Sequence, residues 1–143
     1  MEAYLIPELL PHSGPMVLLD DILEFDEQRL VARTRARGRH LLPGDLTRLP
    51  AWFGIEYMAQ AIALYVGIRA KQAGEPIRLG FLLGTRQFSS NVATIECGEP
   101  LQVSVEKIMR DGPLGVFECH IAGANIDIHA HLNVYQPHLL QNG

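Results

Sequence analysis

The sequence predicts an α+β domain in which a curved antiparallel sheet wraps around one long central helix. Three observations carry this. From Trp52 to Ile68 every residue is apolar, Gly or Ala except Glu56 and Gln60. Residues 30–39 and 126–135 alternate with period two, the signature of half-buried strands. Turn residues punctuate the apolar segments that follow the helix. A helix apolar almost all round must be covered on nearly every side; a curved sheet does most of this, and a partner subunit completes it.

Pro7, Pro11, Gly14 and Pro15 mark an irregular entry, after which Met16-Val17-Leu18-Leu19 predicts a strand or strand start. In the next strand Leu30, Ala32, Thr34, Ala36 and Gly38 share one face, and Val31, Arg33, Arg35, Arg37 and Arg39 the other. The small residues are suited to a bulky neighbour, for which the apolar helix is the candidate. That helix is expected to begin at Pro50, because proline suits a first turn whose N–H groups have no helical partner. Gly74 and Pro76 predict its end. Strands follow over 79–83, 85–88, 101–109, 116–122 and 126–135, with hairpin turns at Asp111-Gly112-Pro113 and Gly123-Ala124-Asn125. In the last strand Ile126, Ile128, Ala130, Leu132 and Val134 face inward; Asp127, His129, His131 and Asn133 face outward. No repeat, low-complexity tract or linker interrupts the 143 residues, which read as one domain over 1–143.

Composition excludes several classes. A net charge of −4 with no dense basic tract argues against nucleic-acid binding. The opening Met-Glu-Ala-Tyr-Leu-Ile-Pro does not read as a signal peptide. The apolar run is shorter than the roughly 20 residues that span a bilayer, and Glu56 and Gln60 would be costly in lipid, so no membrane span is expected. Cys97 and Cys119 lack metal or redox spacing and read as free thiols, which fits a cytoplasmic location.

Glu56 and Gln60 are four residues apart and share a helix face. A carboxylate in such a run loses hydration and becomes able to exchange a proton near neutral pH; the plainer alternative is a Glu at an interface paired with an Arg. His12 and His40 lie in irregular Pro- and Gly-rich segments, where functional groups are often displayed. Asp127, His129 and His131 have ligand-like spacing, but strand alternation already accounts for them, so no metal site is expected. His120 and His138 have no informative neighbours. The arginines at 33–39 suit either an anionic partner or a solubilising outer face. Leu79-Gly80-Phe81-Leu82-Leu83-Gly84 lacks the lysine and spacing of a phosphate loop.

Leu10-Pro11-His12-Ser13-Gly14-Pro15-Met16-Val17-Leu18-Leu19-Asp20 resembles the opening motif of the 3-hydroxyacyl acyl-carrier-protein dehydratases. Ile55-Glu56-Tyr57-Met58-Ala59-Gln60-Ala61 is similar to their central helix motif. Phe81-Leu82-Leu83-Gly84 with Arg86-Gln87-Phe88, and Gly98-Glu99-Pro100-Leu101, resemble later pieces. The approach Leu49-Pro50-Ala51-Trp52-Phe53-Gly54-Ile55-Glu56 looks most like the small dehydratases of aryl polyene or related polyketide-like pathways. The resemblance covers most of the chain in order, and its helix motif is the most specific part.

It implies a hotdog fold, a homodimer or heterodimer with sites at the subunit interface, no cofactor, and dehydration of a 3-hydroxyacyl thioester to the trans-2-enoyl product. The partner implied is an acyl carrier protein with its phosphopantetheine-linked substrate. Glu56 matches the family's catalytic carboxylate, Gln60 a supporting helix position, and the backbone N–H groups near Ala51 and Trp52 the place where the thioester carbonyl is polarised. The family's catalytic histidine stands in a His-Phe-Pro-Gly stretch. Here the region reads His40-Leu41-Leu42-Pro43-Gly44, with His40 two residues further from the helix carboxylate. His40 is the first candidate for the base and His12 the second. Two alternatives stand beside the dehydratase: a hotdog acyl thioesterase, and a non-catalytic acyl-binding subunit of a heteromeric dehydratase.

Overall fold

The computed structural model describes residues 17–38, 48–75 and 81–135. His12, His40 and His138 lie outside them. Two strands, β1 (Asp21–Phe25) and β2 (Arg29–Arg35), precede the helix, together with the short β3 (Arg48–Pro50). A single 3-10 turn, Ala51–Phe53, leads into α1 (Gly54–Gln72). Then come β4 (Phe81–Ser90), the short β5 (Thr94–Glu96), and the long β6 (Pro100–Asp111), β7 (Leu114–Gly123) and β8 (Ile126–Tyr135). Six strands form one antiparallel sheet in the order β1-β2-β6-β7-β8-β4, and β3 pairs with β5. This is the hotdog arrangement, a strand pair and a helix followed by antiparallel strands that close over it.

The helix packs over β2, β6, β7 and β8, and its buried residues run from Gly54 to Ala70. By length and apolarity it passes for a membrane-spanning helix, yet most of it is buried inside the fold. Tyr65 anchors its far half. The ring meets Phe25 and Phe117 at centroid distances of 5.8 and 5.6 Å, and the hydroxyl donates to the carbonyl of Glu27. Gly74 stops the helix with φ +71°, and Glu75 N–H caps the Ala70 carbonyl at 2.9 Å. This left-handed closing residue favours glycine.

The alternation of β2 and β8 is as expected. Leu30, Ala32, Thr34 and Ala36 are buried, as are Ile126, Ile128, Ala130, Leu132 and Val134. Val31 departs from its arginine neighbours and is buried too. Two expectations need correction. Val17–Asp20 is not a strand: Leu18 and Leu19 are buried, but the backbone of Leu18 bonds to side chains rather than to a ladder, and β1 starts only at Asp21. The expected strands at 79–83 and 85–88 are one strand, β4, with irregular register between Leu82 and Gly84 and between Arg86 and Ser89. A bulge keeps a strand continuous while bending it, so Gly84 marks a kink and not a turn.

The arginine row is matched by acids and a carbonyl nearby. Arg33 pairs with Asp21 at 2.9 Å, Arg29 with Glu24 at 2.9 Å and Arg37 with Asp20 at 2.8 Å, while Arg35 donates to the Gly98 carbonyl at 3.2 Å. This favours the solubilising outer face.

Candidate active site

Trp52, Glu56 and Gln60 form a stripe at intervals of four along the start of the helix. Its exposure falls from 57% at Trp52, through the half-buried Glu56, to zero at Gln60. The stripe therefore descends from the surface into the fold. At its foot the fully buried Gln60 would carry a heavy desolvation cost without partners. It has them: its side-chain carbonyl accepts the N–H of Leu18 at 2.9 Å, and its NH2 group donates to Glu56 Oε1 at 3.2 Å. A backbone N–H can only donate, so Leu18 fixes which end of the Gln60 amide faces inward and which faces the carboxylate.

Leu18 is held from the other side as well. Thr34 Oγ1 donates to the Leu18 carbonyl at 2.5 Å and accepts from Arg37 Nη1 at 3.1 Å. The same guanidinium binds Asp20 with two nitrogens, at 2.8 and 3.0 Å. The Arg37 hydrogen bond, together with its charge and the Thr34 hydroxyl, holds the Asp20 carboxyl below its ordinary range against the opposing effect of burial. Val17–Asp20, the end of the opening motif, is thereby joined to the helix motif through Gln60.

Tyr57, one residue beyond Glu56, clamps the chain leaving β2. Its hydroxyl accepts the Arg37 N–H at 2.7 Å and donates to the Arg37 carbonyl. Burial pushes the phenol up to about 12. Phe53 packs edge-on against Tyr57, with centroids 5.9 Å apart. An added Cβ on Gly38 would lie 2.5 Å from the Phe53 ring, and φ at Gly38 is +121°. The chain thus passes the first turn of the helix closely before residues 39–47. On the sheet side, a Cβ on Gly54 would come within 2.9 Å of Ile121 Cδ1, so the helix start lies tightly on β7.

The structure joins Glu56 and Gln60 and sets Trp52 above them. Ala51, beside Trp52, is tied to another part of the chain. That residue is buried, and its N–H donates to the Ala93 carbonyl at 2.9 Å, so this donor is occupied before any substrate arrives. Sequence reasoning missed the supporting roles of Leu18, Thr34 and Tyr57; the only signal was the place of Leu18 and Tyr57 in the opening and helix motifs and of Thr34 on the inward face of the alternating strand.

A family model of ApeP-like proteins, described as ApeP dehydratase, matches residues 4–142. Among solved structures, the dehydratase heterocomplex ApeI:P from Xenorhabdus doucetiae is similar with 31% identity and a TM-score of 0.84, covering 94% of this chain and 93% of that one. A hypothetical thioesterase with coenzyme A from Streptococcus pneumoniae shares the fold at 14% identity and a TM-score of 0.57, over 80% and 83% of the two chains. The E. coli PaaI protein of the phenylacetic acid degradation operon does so at 12% identity and 0.61, over 81% and 82%. No curated protein matches the sequence.

Proposed function

The chain belongs to the ApeP-like dehydratase family, and we propose that it removes water from a 3-hydroxyacyl thioester carried on the phosphopantetheine of an acyl carrier protein. The aryl polyene pathway is the context proposed. The observation that carries this reading is the half-buried Glu56 in the first turn of α1, held by a fully buried Gln60.

Dehydration needs a base for the C2 proton, an acid for the departing hydroxyl and a donor for the thioester oxygen. Glu56 is assigned to the hydroxyl. Gln60 donates to its Oε1 at 3.2 Å and orients the carboxylate. The Trp52 N–H, at a helix start where backbone donors and dipole favour negative charge, is assigned to the thioester oxygen. His40 is proposed as the base. His12 remains the second candidate.

A heteromeric assembly is the second part of the proposal, and the likeness to a chain of the ApeI:P heterocomplex supports it. So does β4, a ten-residue strand at one edge of the sheet that exposes Leu82, Leu83 and Phe88. Long apolar edges invite pairing with another chain.

The test is mass spectrometry of a 3-hydroxyacyl carrier protein incubated with the protein, alone and together with an ApeI-type chain. Loss of one water from the intact thioester is expected, reduced about 10²–10⁴-fold by Glu56→Gln. Release of free carrier protein would identify a thioesterase instead. Dehydration that needs the second chain and survives Glu56→Gln would make this chain a non-catalytic subunit.

A further inference from the structure

Antiparallel pairing of β7 with β8 places His120 directly opposite His129 on the outer face of the sheet. The two imidazoles stack with centroids 4.1 Å apart and planes within 8° of parallel. Both direct Nε2 at the same atom, Asp127 Oδ1, at 2.6 and 2.9 Å. The three donor atoms lie within 4.8 Å of one another. His131, which the spacing had grouped with Asp127 and His129, is outside this cluster and pairs across strands with Glu118 and Arg86.

The cluster is built on a fixed frame. Asn91 pins Asp127 by accepting its N–H at 2.7 Å, donating its own N–H to the Asp127 carbonyl at 3.2 Å, and donating its amide to Asn125 of the adjoining turn at 3.0 Å. Across the sheet the next residues in register are Ser104 beside His120 and Ser89 beside His129, so no cation stands in the ladder at this point. On the inner face the adjacent pair is Ile121 opposite Ile128, the two side chains closest to Gly54 at the start of α1. The cluster thus lies on the reverse of the sheet from Glu56, separate from the proposed catalytic stripe.

We propose that His120, Asp127 and His129 bind a divalent transition metal of the zinc type. Two imidazoles and one carboxylate are the donors that zinc, cobalt, nickel and copper favour, whereas magnesium and calcium require all-oxygen shells. A tetrahedral ion with bonds of about 2.0–2.1 Å sets its ligands about 3.3 Å apart, so the two imidazole–carboxylate contacts open by a fraction of an ångström and the stacked rings tilt toward each other until both Nε2 lone pairs meet at the ion. To bind the ion each imidazole presents the lone pair of Nε2 and carries its proton on Nδ1. Three protein ligands leave a fourth position for water or for a donor from another molecule.

The test uses the chelator-treated protein titrated with Co2+, read by visible absorption, and with Zn2+, read by calorimetry. One saturable equivalent is expected. Affinity should fall by at least about tenfold in His120→Ala, His129→Ala and Asp127→Asn, and also in Asn91→Ala, whose role is to position Asp127. His131→Ala should bind as the wild type does. Circular dichroism checks the fold of each variant, and Asp127→Asn retains the backbone bonds to Asn91. Absence of saturable binding in the wild type overturns the proposal. So does undiminished binding in the three ligand variants, or its loss in His131→Ala.

Discussion

The main-chain N–H of Leu18 and the side-chain carbonyl of Gln60 meet at 2.9 Å in the interior, and this bond ties the segment before β1 to the helix face that carries Glu56. It is a two-ended device. The amide that satisfies the buried backbone donor also turns its NH2 group toward the carboxylate, so positioning of Glu56 depends on a residue far away in sequence. The same bond explains why an apolar run ahead of β1 does not extend the strand: its backbone is already satisfied by Gln60 on one side and Thr34 on the other.

Gln60→Leu keeps the bulk and removes the hydrogen bonds to Leu18 and Glu56. The Leu18 N–H is then buried without an acceptor, a loss of about 1–3 kcal/mol. Urea denaturation is expected to show a lower midpoint with an unchanged slope, and turnover should fall along with it. An unchanged midpoint would mean that Leu18 does not depend on Gln60.

Gly38 presents a different case, because its backbone and its neighbour both exclude a side chain. With φ at +121° and the Phe53 ring 2.5 Å from an added Cβ, Gly38→Ala is strained in two ways. A loss of about 1–3 kcal/mol is expected from the backbone alone. Denaturation of Gly38→Ala beside Gly38→Ala/Phe53→Leu separates the two contributions: the smaller side chain should restore part of the loss and leave the backbone part.

The elements legible in the sequence are those whose evidence is local. The all-apolar run announced α1, Gly74 its end, and the alternation at 126–135 matches β8 residue for residue. What escaped depends on pairing. The Ala51 N–H is occupied because Ala93, over forty residues later, approaches it beside the β3–β5 pair. His120 gains Asp127 and His129 as neighbours only through the register of β7 against β8. Gly84 looked like a break because a bulge and a turn use the same residue type. Arg29 and Arg33 of β2 found their acids on β1, across a hairpin whose register the alternation alone does not set.

Tyr57 predicts a pH dependence at the alkaline end. Its phenol is raised from 10.0 to about 12, chiefly by burial. A group whose pKa is higher in the folded state contributes stability that is complete below the unfolded value and is lost as pH rises through the folded one. Thermal stability should therefore fall between about pH 10 and 12. Tyr57→Phe starts lower, by about 0.5–1.5 kcal/mol for the lost hydroxyl bonds, but loses less across that window. Buried Cys119, also raised to about 12, acts in the same direction and is common to both proteins, so the difference between them isolates Tyr57. Parallel melting curves over the window would remove Tyr57 as its source.

The edge strand β4 gives the prediction that bears on assembly. Leu83 is 58% exposed, in the irregular stretch between Leu82 and Gly84. A charge placed there adds little cost to the isolated chain, because exposed positions away from caps and buried networks change stability by about 0.5 kcal/mol or less. In an assembly that pairs this edge, the same charge would be buried without a partner, and breaking such an interface costs several kcal/mol. Leu83→Asp is therefore expected to melt close to the wild type as an isolated chain while losing association with an ApeI-type chain or with itself, as read by analytical ultracentrifugation. Glu24→Lys on β1, the opposite edge, should leave association intact. If Leu83→Asp assembles like the wild type and Glu24→Lys does not, the interface lies on the other side of the sheet.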